Sequence, residues 1–78
     1  MKIMEETKLM KLTLGQKFKL LRERAGKTEQ ELAGHMKMAI GTYQKTESDF
    51  LYPTDGQIAK LGRLYGLTYD EVLGVGEG

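Results

Sequence analysis

The chain has 78 residues, no cysteine, one proline and ten glycines, with 40% hydrophobic and 29% charged residues. A chain this short makes one small domain with a modest core, and without cysteine neither a disulfide framework nor a thiolate zinc site can supplement it. No run of about 18 apolar residues is present to cross a membrane, and Glu5 and Glu6 stand where a secretory leader would have its apolar stretch, so a cytoplasmic location is expected.

The formal net charge is only +1, which as a whole is weak for a partner of polyanions. Its distribution is uneven. Up to Lys27 eight Lys and Arg residues face three acidic ones, and from Thr28 onward four face eight. This permits one basic face on a nearly neutral protein, and it equally fits a solvated basic helix beside acidic ones.

Residues 1–12 read as an N-terminal arm, in which Met10, Leu12 and Leu14 alternate as a brief strand or a helix lead-in would. Thr13 followed three residues later by Gln16 is a capping box. Leu14, Phe18, Leu21 and Ala25 then recur at helical spacing and predict an inward face, with Gly26 ending the first helix. Thr28 and Glu31 form a second box, opening a short helix that buries Leu32, Ala33 and Met36.

A tight turn around Lys37 and Met38 leads into a third helix over about residues 39–48, with Met38 buried at its entrance and Tyr43 and Thr46 inward. The spacing of the second and third helices is that of a helix-turn-helix. Pro53 lacks an amide donor and favours extended backbone at Tyr52, so "DFLYPTDG" is the main loop. Thr54 caps a fourth helix with Ile58, Leu61, Gly62 and Tyr65 inward, closed by Gly66. Thr68 and Glu71 box a short fifth helix through Val72 and Leu73 to Gly74. The pattern predicts an all-α, compact five-helix domain over residues 13–74, with 75–78 as a flexible tail.

From Leu14 to Leu73 the chain resembles, without a gap, the Cro and phage-repressor type of helix-turn-helix domain. "FKLLRERAGKTEQELA" is similar to that family's first two helices, "GTYQKTE" to its third, and "YPTDGQIAKLGRLYGLTYDEVLG" to its fourth and fifth. The resemblance implies a partly buried ion pair between Arg22 and Glu47, a guanidinium and a carboxylate able to meet through two parallel hydrogen bonds.

It also implies that the second helix crosses a DNA backbone while the third enters the major groove. The implied base-contacting residues are Ala39, Ile40, Gly41 and Thr42, with Gln44 and Lys45 one turn on. Gln suits adenine and Lys suits guanine, whereas Ala39 and Ile40 offer apolar contact to thymine methyls. Lys27, Thr28, Gln30, Lys37, Ser48 and Tyr52 are the implied phosphate contacts. Three departures from the family pattern stand out: Glu29 replaces a common Gln, Lys37 replaces a turn Gly, and Ile40 and Gly41 replace a polar pair.

The expected function is therefore a repressor-like, sequence-specific DNA-binding regulator that occupies double-stranded DNA as a homodimer. Its self-association surface is either the fifth helix, through Tyr69, Val72 and Leu73, or the arm, through Ile3, Met4, Leu9 and Met10, unless these residues only complete a monomer's core or lie loosely against it. The competing expectation keeps the fold but uses the apolar entrance Met38, Ala39 and Ile40 to contact a partner protein. No enzyme is expected, because His35 is the single histidine and no Cys or second His completes a metal site or a nucleophile–base pair. No cofactor, metal or small-molecule ligand is expected either.

Overall fold

Four threonines open four of the helices. Thr13, Thr28, Thr54 and Thr68 each accept, at 3.1 Å, the backbone N–H three residues on, from Gln16, Glu31, Gln57 and Glu71. Each of those four side chains accepts the threonine's own N–H in return. Two amides that a helix cannot satisfy internally are thus paired at each start. The computed structural model describes residues 12–76, in which the helices are α1 (Leu14–Arg24), α2 (Glu29–Met36), α3 (Ile40–Glu47), α4 (Asp55–Tyr65) and α5 (Tyr69–Leu73). The domain is all-α, with no strand among the described residues.

The helices pack α2 on α3, α1 on α3, α4 on α5, α2 on α4 and α1 on α5. Their apolar stripes meet in a core of Phe18, Leu21, Leu32, Ala33, Met36, Tyr43, Ile58, Leu61, Val72 and Val75. Leu14, Met38, Tyr65 and Leu73 pack against it half-buried. Ala25 departs from the expected inward stripe: it is the C-cap of α1 and exposed, the core being filled at this end without it.

Glu47 ties the helices together. Its carboxylate accepts from Arg22 Nε at 2.7 Å, from Arg22 Nη2 at 3.3 Å and from the Tyr43 hydroxyl at 2.6 Å, while Arg22 Nη1 donates to the Lys27 carbonyl at 3.1 Å. The two charged side chains are only 12% and 6% exposed, so α1, α3 and the α1–α2 joint converge on one desolvated carboxylate. The hydrogen bond to Glu47 raises the Arg22 pKa further above its ordinary value.

Close approach supports the same joint. A Cβ at Gly15 would strike the backbone carbonyls of Glu47 and Thr46, so only glycine lets α1 lie this close to the end of α3. Asp49, in the left-handed conformation at φ 68°, turns its carboxylate back to α1. There it accepts the Gly15 N–H at 3.0 Å and the Thr13 hydroxyl at 2.6 Å.

Lys17 is buried, and its ammonium donates to the Leu73 carbonyl at the end of α5, where the partial negative charge of the helix terminus favours a cation. One member of the expected basic face is thereby withdrawn from the surface. Val75 also departs from expectation: it is buried in the core, and Gly76 lies against Leu12 and Leu20. The rest of the expected arm, with Ile3, Met4, Leu9 and Met10, and Glu77 and Gly78 of the expected tail lie outside the described residues.

Arg22→Ala and Glu47→Ala should each cost about 3–5 kcal/mol in urea or thermal unfolding, because each leaves a charge buried alone. Unchanged melting in both would overturn the assignment. Gly15→Ala should cost about 1–3 kcal/mol by forcing α1 off α3, and a melt matching the parent would show that the helices can slide apart freely.

Burial, and then the Glu47 carboxylate, push the Tyr43 phenol well above its ordinary 10.0. Burial likewise raises Tyr65, and the hydrogen bond to Asp55 raises Tyr69. A folded-state pKa above the unfolded value gives stability that is complete below the unfolded value and lost as pH rises beyond it. Melting should therefore fall above pH 10, and Tyr43→Phe should flatten that fall. An identical slope in the variant would refute the linkage.

Candidate functional site

α3 is short, and its two faces differ. Tyr43, Thr46 and Glu47 point into the protein and are buried, whereas Ile40, Gly41, Thr42, Gln44 and Lys45 are exposed on the remaining circumference. Ile40 and Gln44, four residues apart, share one stripe along the helix, and Gly41 and Lys45 share the next. The buried half anchors α3 to α1 and α2, so the outer half is presented as a rigid ridge.

The turn that aims this ridge is made by Lys37, which adopts the left-handed conformation at φ 58° and ψ 45° as the C-cap of α2. Its N–H and that of Met38 close back on the carbonyls of Gly34 and Ala33. A side chain is tolerated in this geometry at a cost that glycine would avoid. The turn is therefore of the expected shape although its expected glycine is absent.

Ala39 lies just outside α3 as its N-cap, exposed and with no side-chain cap bond, whereas the other four helices begin with boxes. The leading amides of α3 thus stay open at its tip. Ile40 is 41% exposed beside them, and nothing lies within 4 Å of a Cβ built at Gly41, so the entrance is an open, weakly polar surface. Thr42 is exposed, with its carbonyl accepting from the Thr46 hydroxyl.

Gln44 and Lys45 each have a neighbour that sequence reasoning missed. Gln44 Nε2 donates to the Glu29 carboxylate at 3.0 Å, joining the first residue of α2 to the middle of α3. The Lys45 ammonium stands 5.7 Å from the centroid of the Phe50 ring, within the range of a cation–π contact. Phe50 is 75% exposed and Tyr52 80% exposed, so an aromatic shoulder borders the C-terminal end of the ridge. The sequence signal for that shoulder is the run Phe50-Leu51-Tyr52, of which only Tyr52 is singled out by the resemblance, as a phosphate contact.

The implied phosphate contacts divide into two groups. Lys27, Thr28 and Gln30 gather at the start of α2, and Ser48 and Tyr52 lie beyond the end of α3, with Lys37 in the turn. Thr28 already caps Glu31, and the Ser48 hydroxyl donates to the Lys45 carbonyl. Gln30, Lys37 and Tyr52 are exposed. Glu29 and Glu31 occupy the first turn of α2, where the helix dipole favours them, and the Thr28 N–H holds the Glu31 carboxyl below its ordinary value. An approaching phosphate therefore meets two carboxylates there.

The fifth-helix surface expected for self-association is largely withdrawn. Val72 is fully buried, Leu73 packs half-buried against the core, and the hydroxyl of Tyr69 donates to Asp55 at 2.9 Å. Val72 faces inward because α5 lies on α4, where Gly62 leaves room for the Leu67 carbonyl. Val72 and Leu73 thus help to complete the core, whereas Tyr69 stays exposed at its edge. No helix among the described residues is long and apolar enough to cross a membrane, and the described residues contain no cluster of potential metal ligands.

No curated protein and no solved structure matches the chain. The family described as helix-turn-helix domain matches residues 13–73, the same span that carries the five helices, the left-handed turn and the half-exposed α3. The chain belongs to the helix-turn-helix domain family, a DNA-binding fold of regulators.

Proposed function

We propose that the domain is a sequence-specific regulator of transcription, repressor-like in action, that binds double-stranded DNA as a homodimer in the cytoplasm with α3 in the major groove. The observation that carries this reading is the division of α3 into a buried half, held by Glu47, Tyr43 and Thr46, and an exposed half bearing Ile40, Gly41, Thr42, Gln44 and Lys45. A helix held rigidly on one side and open on the other suits entry into a groove about as wide as a helix. Ala39 and Ile40 meet thymine methyls at the tip, while Gln44 and Lys45 reach polar base edges one turn on. Lys27, Thr28, Gln30, Lys37, Ser48 and Tyr52 border this ridge and set its register against phosphates. Two copies on a palindrome would place their ridges about one helical turn of DNA apart.

A second reading, a protein-interaction module, is supported by the exposed Ile40, Phe50, Leu51 and Tyr52 at the two ends of the same ridge. Charge separates the two readings. A DNA reader loses affinity steeply with salt as counterions are released from phosphates, and an apolar protein contact does not.

Labelled random duplexes titrated at two salt concentrations should bind, weaken steeply as salt rises, and yield a palindrome on selection. Absence of binding even at low salt would favour the interaction module. On the selected duplex, Lys45→Ala should cost about 1–3 kcal/mol and relax preference at one base pair, and Ile40→Ala should cost less and act at a thymine. Equal, sequence-independent losses from both would show that another surface faces the bases.

A further inference from the structure

The contact between Glu29 and Gln44 has a chemical consequence for which bases α3 accepts. We propose that Glu29 is a specificity-determining positioning residue, which fixes the Gln44 amide so that the pair selects an amino-bearing base, adenine or cytosine, on the contacted strand. The inference rests on the DNA-reading function proposed above.

A glutamine amide carries an acceptor oxygen and a donor NH2 on one rotatable group. Unrestrained on an exposed helix face, it turns either edge outward. It then accepts from adenine N6 or cytosine N4, or donates to guanine O6 and N7 or thymine O4. Such a residue discriminates poorly between amino and keto bases.

Glu29 removes that freedom. Its Oε1 accepts from Gln44 Nε2 at 3.0 Å, and a carboxylate offers only acceptors. The reversed amide would set its carbonyl oxygen against the carboxylate oxygen, so the NH2 edge stays with Glu29 and the oxygen edge is left for the groove. Neither anchor is loose. Glu29 is the first residue of α2, whose start is boxed by Thr28 and Glu31, and Gln44 sits between the buried Tyr43 and Thr46 on α3.

The paired groups thus present Gln44 Oε1 and the second Glu29 oxygen, both acceptors, to whatever approaches. Adenine N6 and cytosine N4 donate to them. Guanine O6 and thymine O4 bring a further acceptor and are opposed. The expected preference for amino over keto bases at that base pair is on the order of tenfold or more.

A purely electrostatic role for Glu29 makes a different prediction. Removing its charge would strengthen attraction to phosphates everywhere along the duplex and raise affinity uniformly, without changing base preference. Base preference is therefore the decisive readout.

The experiment is selection from a random duplex pool with the full chain, its Glu29→Gln variant, its Gln44→Ala variant and the double variant, each checked for helical circular dichroism. The expected result is adenine or cytosine at one position of each half-site for the parent chain. Guanine and thymine should be admitted there with Glu29→Gln, whose amide lets Gln44 reverse. Gln44→Ala should lose preference at the same position, and adding Glu29→Gln to it should change nothing further. An unchanged preference in Glu29→Gln, with affinity raised on all sequences, would overturn the inference while leaving DNA reading intact. If the parent chain selects no sequence, the proposed function fails, and this inference fails with it.

Discussion

The carboxylate of Glu47 is the constraint on which the rest depends. It sits at the last turn of α3, nearly out of solvent, and is satisfied by two nitrogens of Arg22 and by the Tyr43 hydroxyl. A charge so desolvated is tolerable only while its partners stay in place. Arg22 is in turn fixed by the Lys27 carbonyl, so the joint between α1 and α2 is drawn into the same arrangement. The orientation of α3 thereby becomes a property of three chain segments at once. The narrow approach at Gly15 and the return of the Asp49 carboxylate to Gly15 and Thr13 hold the same helix end from a second direction.

What this rigidity delivers is an exposed half-helix two of whose polar side chains, Gln44 and Lys45, already have neighbours within the molecule. Gln44 is bonded to Glu29, and Lys45 stands over Phe50. A side chain held before binding loses less rotamer freedom on binding, but the holding group also decides which of its atoms remains available. The acidic first turn of α2 leaves this face less cationic than the charge pattern of the first 27 residues suggests, and Lys17, buried against Leu73, adds nothing to the exposed charge.

Much of the fold was legible because its signals are local. A capping box spans four residues, and the boxes at Thr13, Thr28 and Thr68 each open a helix where expected, as does the cap at Thr54. The inward positions of Phe18, Leu21, Leu32, Ala33, Met36, Tyr43, Thr46, Ile58 and Leu61 follow from helical spacing alone. The Arg22–Glu47 pair was legible through resemblance, since no local rule connects residues 25 apart in the chain. Helical spacing places Ala25 on the inward stripe, but it is exposed as the C-cap of α1, and its glycine neighbours assign Val75 to a flexible tail, but it is buried in the core.

The sequence by itself determined the helices, their starts and stops, and the apolar stripes that must meet, because capping and amphipathic spacing act within one or two turns of chain. Apart from Arg22 and Glu47, the tertiary structure decided which groups meet across elements. Asp49 reaches Thr13 and Gly15, Lys17 reaches Leu73, Glu29 reaches Gln44, and Phe50 comes under Lys45. These contacts depend on how closely one helix approaches another and on the angle of each turn. Both are set by packing over the whole core, and neither is written in any short stretch of residues.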